Sequence, residues 1–396
     1  MIKSIIISGG WGYGNIGDEA ILKYTYFDLE RYFPNIPITV LTYDKEVTEY
    51  HHRFQPYENL HILLKKNAGA RIIDVCKQII KTGSCPKYLS EYCKYFENDV
   101  LFIMAGGGYF NDHWEKSFFV HLTEIVIAKK YNAKVAIIGQ TIGPISGQEH
   151  KTTFKEIVSA VDYIDVRDRT SFNFLCMLLH EKKVHLSCDA VIRNGSEQQR
   201  STDEKIIGVM FQRKRPYTNP TTSKLVYRCR QLLHIITGQS KRFTDNLCDL
   251  IREILKENPD YKVIFIQSTD WREDEIQKIK ERSGAKEVYV NCTVDEYISL
   301  ICRCSAVITT NMHPAILATT VGVPAVAISH TYKIDDYMEL CGMKEYAIHN
   351  IDVSTVKQYI NTLLRSNDVT DKLHRSNKEL LSKLDETYLE LRHFSV

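Results

Sequence analysis

Thr309-Thr310-Asn311-Met312-His313-Pro314-Ala315 joins an apolar run to a helix-like segment and sets an imidazole at the junction. Imidazole is the side chain whose ordinary pKa lies nearest neutrality, so it both gives and takes protons in general acid–base chemistry. Proline suits the first position of a helix, so the spacing predicts a helix from Pro314 with His313 at its cap, where unpaired backbone amides receive anions. Ser329-His330-Thr331-Tyr332-Lys333 brings a second histidine and a lysine to another strand end. Arg213 and Arg215 follow the run Ile206 to Phe211 directly, and guanidinium groups grip carboxylate or phosphate through two parallel hydrogen bonds. These types together suit a small anion and proton transfer. No spaced set of His, Cys, Asp or Glu predicts a metal.

A second set of residues is made of glycines and short polar side chains. Gly12, Gly14 and Gly17, after the apolar run Ile5-Ile6-Ile7, fit the G-x-G-x-x-G spacing of a dinucleotide loop. Asp18 and Glu19 follow at once; they suit the positive end of a helix but repel a pyrophosphate placed on the same amides. A ligand other than a dinucleotide is therefore expected. Ala105-Gly106-Gly107-Gly108 follows another buried run, where its glycines either let backbone come close to a ligand or make a tight strand-to-helix turn, and Gln140-Thr141-Ile142-Gly143-Pro144 ends a third. Gly14, Asn15, Asp18, Gly107, Gly108, Asn111 and Gln140 are expected to line one crevice and to bond sugar hydroxyls. Arg167, in Val166-Arg167-Asp168, is either a ligand contact there or part of a structural network with Asp168, and Asp168 or Thr170 is able to cap the next helix.

Parallel strands alternating with helices would position these residues. Apolar runs at 3–8, 38–42, 100–104, 134–138 and 163–166 read as strands covered on both faces. After a polar break at 194–203 the alternation restarts at 206–211, 263–267, 287–290, 306–309 and 325–329. Two doubly wound α/β domains with parallel sheets facing across a cleft are expected, at residues 1–200 and 201–365, and 366–396 read as an amphipathic helix packed on them. Residues 212–243 carry basic side chains and no acidic one; a solvated loop with a helix from about 223 to 236, or a lid over an anion, are the two readings.

Composition narrows the classes. Lys plus Arg number 51 against 49 Asp plus Glu, a net +2 that lacks the basic excess of nucleic-acid proteins. No apolar run approaches the roughly 20 residues of a membrane span, and no signal-peptide core opens the chain, so a cytoplasmic location is expected. The 11 cysteines show no C-x-x-C pair and are expected to be reduced.

Taken in order, Gly14-Asn15-Ile16-Gly17-Asp18-Glu19, the 105–108 glycines, Gly139 to Pro144, Val166-Arg167-Asp168, Met312-His313, and Gly322-Val323-Pro324 followed by Lys333 resemble the polysaccharide pyruvyltransferase family. The resemblance implies a GT-B-like fold and transfer of the pyruvyl group of phosphoenolpyruvate to two sugar hydroxyls as a cyclic ketal, with phosphate released. Phosphoenolpyruvate would be a co-substrate, with no cofactor. The acceptor would be a sugar or lipid-linked precursor of a cell-surface glycan, with transient contact at the inner membrane face. His313 would be the catalytic acid or base. Arg213, Arg215, Asn311, Met312 and Lys333 would hold the donor, and the first-half residues the acceptor. In the family an arginine typically stands two residues before the histidine; here Asn311 does. A nucleotide-sugar glycosyltransferase and a catalytically silent glycan-binding protein are the alternatives. An NAD-dependent dehydrogenase fits less well, since Asp44 would have to bind ribose beside the repelling Asp18-Glu19 pair.

Overall fold

In a computed structural model the described residues are 2–180, 182–201, 204–211, 224–236, 239–267, 273–349, 352–366 and 368–395. The first half forms a seven-stranded sheet from β1 (Ser4–Ser8), β2 (Ile38–Thr42), β3 (Pro56–Glu58), β4 (Val100–Phe110), β5 (Lys134–Ile142), β6 (Tyr163–Val166) and β7 (His185–Leu186). The second forms a six-stranded sheet from β8 (Ile206–Met210), β9 (Lys262–Ile266), β10 (Glu287–Tyr289), β11 (Ala306–Thr309), β12 (Ala325–Ile328) and β13 (Ala347–Ile348). Pairing is parallel throughout both. The central strands are buried along almost their whole length, as helices on both faces require.

Strand order is β3-β2-β1-β4-β5-β6-β7 and β10-β9-β8-β11-β12-β13. The order of strands thus switches sides once in each sheet, between β1 and β4 and between β8 and β11. Ligands of open α/β sheets bind outside the carboxyl ends of the strands at such a switch point. The opening glycine loop follows β1 and the segment Thr310–His313 follows β11, so the two sets of chemical residues stand at the two switch points.

Several elements differ from the sequence reading. β4 runs on to Phe110 and β5 to Ile142, so Gly106–Gly108 and Gln140–Thr141 lie within strands and not in turns after them. Gly106 (φ 46°) and Gly107 (φ 98°) take a backbone conformation open chiefly to glycine, and the register with β5 shifts there. The helix after β11 begins at Met312, two residues before Pro314, with Asn311 at its cap position. β3, β7 and β13 are edge strands of two or three residues, too short to leave a periodic signal. The polar stretch from 194 begins in a buried joint: Asn194 accepts from the Tyr24 hydroxyl at 2.7 Å and donates to Thr320 Oγ1 at 3.1 Å. Beside it Arg193 forms ion pairs with Asp28, at 2.7 Å, and with Asp385. The terminal helix Asp368–Ser395 buries Leu373, Leu380, Leu384 and Leu391. It packs on the opening helix Ile16–Tyr32, the 190–196 turn and the helix Met312–Thr320, touching both halves.

Candidate active site

Between the two sheets lies a cavity of about 900 Å³ lined by both halves. From the first come Asn15 and Asp18 at the start of the opening helix, Gly107 and Gly108 of β4, and Arg167 just after β6; from the second come Met312, His313 and Lys333. Asn15 caps the opening helix by accepting from Gly17 N at 3.0 Å and donates to Asp18 Oδ2 at 2.8 Å, which aims the Asp18 carboxylate. The halves meet closely: a Cβ on Gly17 would clash with the His313 ring, 2.0 Å from Nδ1, and one on Gly108 would meet the Lys333 amine.

His313 is held by two first-half groups of opposite charge. Arg167 Nη1 lies 3.4 Å from His313 Nε2, and Asp189 Oδ2 lies 3.6 Å from the same nitrogen. Arg167 also bonds Asp189, donates to Thr141 Oγ1 at 2.9 Å and to the Gly107 carbonyl at 2.9 Å. An unprotonated Nε2 accepts from Arg167; a protonated one faces the Asp189 carboxylate. Burial by itself would raise the Asp189 carboxyl, but Arg167 and then His313 hold it well below the ordinary carboxylate range. Burial and the nearby Arg167 lower the Lys333 ammonium to about 8, against the pull of Asp168 and Asp18. Asp18 is shifted upward by burial, which outweighs His313, Arg167 and Lys333.

Of the predicted site residues, His313, Met312, Lys333, Arg167, Asn15, Asp18, Gly107 and Gly108 line this cavity. Gly14, Asn111, Gln140 and Asn311 are not among its lining residues. Gln140 is fully buried, and its amide donates to the Gly106 carbonyl at 2.6 Å and to the Tyr109 hydroxyl, bracing the glycine segment from behind. Asn111 closes the next turn, donating to Gly108 O at 2.5 Å and accepting from Trp114 N at 3.3 Å. Arg213 and Arg215 lie outside the described residues. Arg167 lines the cavity and pairs with Asp189 rather than with Asp168, while Asp168 caps the following helix, as expected, by accepting from Ser171 N at 2.7 Å. Gly12 N, an amide of the dinucleotide-like loop, donates to Glu19 Oε1 at 2.7 Å, and Glu19 also meets His52 Nε2 at 3.2 Å.

Asp189 escaped the sequence reading because it stands after a two-residue strand with no motif around it. Tyr13 and Trp114 also line the cavity, 59% and 60% exposed; their adjacency to Gly12 and to Asn111 was the signal available. Tyr43, which follows β2 at its carboxyl end, lines it too and packs at a tilt against Tyr13 with ring centres 4.4 Å apart. Its hydroxyl bonds His121 Nε2 at 3.0 Å, and His121 Nδ1 meets Glu124 Oε2 at 2.8 Å in the buried core. Residues contributed by one helix interior and one strand end carry no joint spacing to read. No group of three or more potential metal ligands occurs among the described residues.

The sequence pattern of the family described as polysaccharide pyruvyl transferase matches residues 15–332, most of the chain. No curated protein matches it in sequence. Similar solved structures include a putative UDP-N-acetylglucosamine 2-epimerase from Listeria monocytogenes, with TM-score 0.58 at 11% identity, covering 98% of this chain and 97% of that one. The UDP-GlcNAc 2-epimerase from Neisseria meningitidis gives 0.58 at 11% identity over 97% and 100%. That from Methanocaldococcus jannaschii gives 0.54 at 13% over 98% and 100%. At these identities the likeness concerns the fold, which is GT-B-like: two doubly wound sheets facing across a cleft.

Proposed function

The chain belongs to the polysaccharide pyruvyl transferase family, and from that premise we propose that it transfers the pyruvyl group of phosphoenolpyruvate, as a cyclic ketal, to two hydroxyls of a sugar in a cell-surface glycan precursor. The observation that carries the reading is the meeting of His313, Arg167 and Lys333 in one cleft between the two switch points. A donor with a carboxylate and a phosphate needs converging cations. Arg167 and Lys333 supply them, and Arg228 also lines the cavity. With Asn311 where the family has arginine, Arg167 beside His313 is the group that offers the positive charge.

In the proposed reaction a proton is delivered to the donor's methylene carbon, leaving oxocarbenium character at the carbon bearing the phosphate. One sugar hydroxyl attacks that carbon and the carbon–oxygen bond to phosphate breaks. The second hydroxyl then closes the ring. Two hydroxyl protons are released; one balances that given to the methyl carbon and the other leaves on phosphate. His313 moves these protons, with Asp189 opposite its charged form and Arg167 opposite its neutral form. Asn15, Asp18 and the Gly107–Gly108 backbone hold the acceptor, whose ring lies against Tyr13 and Trp114.

Purified protein given phosphoenolpyruvate and a panel of sugars and sugar phosphates is expected to release phosphate. His313→Ala is expected to lower that rate by about 10²- to 10⁴-fold, the range for loss of a general acid–base group. Undiminished activity in this variant overturns the role of His313. The solved neighbours named for UDP-sugars supply the competing reading, and a rise in thermal midpoint with UDP but none with phosphoenolpyruvate would favour it.

A further inference from the structure

The helix Lys224–Ile236 reads KLVYRCRQLLHII and exposes Leu225, Val226, Leu232 and Leu233 at 72%, 44%, 59% and 59%. Four large aliphatic side chains on one short surface helix are a costly exposure in water. They are not scattered. At about 100° of turn per residue these four and the exposed Cys229 fall in one arc of about 120°, with Arg228 and Arg230 on its two edges. Residues 212–243 around the helix contain eight Lys and Arg and no Asp or Glu.

We infer that this helix docks the protein on an anionic membrane surface. An apolar stripe edged by arginines is the pattern of a helix lying at the headgroup boundary, its leucines entering the acyl region and its guanidinium groups reaching lipid phosphates. The one-signed charge selects this occupant over a second copy of the chain, because a two-fold contact through the stripe would bring the flanking arginines of both copies together. The leucines select it over nucleic acid, whose backbone offers them nothing to enter. The helix has 13 residues, about 20 Å at 1.5 Å per residue, too short to cross. Among the described residues no helix is long and apolar enough to do so.

Arg228 connects this surface to the cleft, since it stands on one edge of the stripe and lines the cavity that holds His313. Docking would thus set the cavity mouth beside the bilayer. The inference does not depend on the reaction proposed above, because the docking is read without donor or acceptor.

The test is sedimentation of the full chain with vesicles of phosphatidylcholine alone or mixed with phosphatidylglycerol. Binding to the mixed vesicles only is expected, weakening as salt is raised. Leu232→Glu with Leu233→Glu is expected to lower the bound fraction by about tenfold or more, with an unchanged thermal midpoint because both side chains are exposed. Absence of binding to mixed vesicles, or equal binding by the double variant, overturns the inference. So does a concentration-dependent dimer of the wild-type chain that the double variant loses, which would assign the stripe to a second copy.

Discussion

Lys333 shows how one side chain carries information about both stability and ligand. Its ammonium titrates near 8 because it is buried beside Arg167. The unfolded chain holds this proton to higher pH than the folded one, so Lys333 subtracts stability below pH 8, and the penalty is relieved as pH rises from about 8 toward the free-lysine value. An anion bound in the cavity reverses the preference by favouring the charged form. Above pH 8, binding must then take up a proton. The dissociation constant for phosphoenolpyruvate is expected to rise by about tenfold per pH unit above 8, and Lys333→Met should flatten that dependence. Isothermal titration in buffers of different ionisation enthalpy reads the proton uptake directly; a pH-independent affinity in the wild-type protein would remove Lys333 from the anion site.

The opening helix and the strand ends act as rigid mounts, and their tolerances are set by glycine. Gly17 lies in the first turn, where a methyl group would clash with the His313 ring. Alanine favours a helix over glycine by about 1 kcal/mol, so Gly17→Ala should leave the helix formed while displacing the imidazole from Arg167 and Asp189. Misplacement of a catalytic group by about 1 Å can cost about 100-fold, and phosphate release by this variant should fall to that extent with an unchanged circular dichroism spectrum. Retained activity would show that the close approach of the two halves is not needed for the chemistry. The acidic pair after Gly17 serves two ends. Asp18 faces the cavity, whereas Glu19 is buried and takes the Gly12 amide. The sequence conflict between glycine spacing and adjacent carboxylates is resolved in space, with a side chain sitting on an amide that a pyrophosphate would need.

Across the molecule, the terminal helix and the 190–196 turn tie the halves to one another. Arg193 reaches Asp28 of the opening helix and Asp385 of the terminal one, and Asn377 donates to the carbonyls of Thr319 and Thr320 at 2.9 Å each. Leu384 is buried in this joint. Leu384→Ala is expected to destabilise the protein by about 2–5 kcal/mol, the usual range for a buried leucine truncation. Urea unfolding followed by fluorescence checks it, and a change below about 0.5 kcal/mol, typical of surface sites, would show that the helix is not held there.

The alternation of apolar runs, the glycines at the first switch point and His313 at the second were legible along the chain because each is a local pattern. Strand periodicity, turn chemistry and strand-to-helix junctions depend on neighbours a few residues apart, and these settle a doubly wound α/β architecture. The contacts of Tyr43, Trp114 and Arg228 with one cavity, and those of Asp189 with Arg167 and His313 beside it, were decided only by the tertiary structure. Their separations in sequence exceed any local spacing, and only the closing of two sheets carries them together. The same reason removed Gln140 and Asn111 from the cavity lining: their types and positions suited a ligand, but folding turned their amides onto the glycine backbone they support.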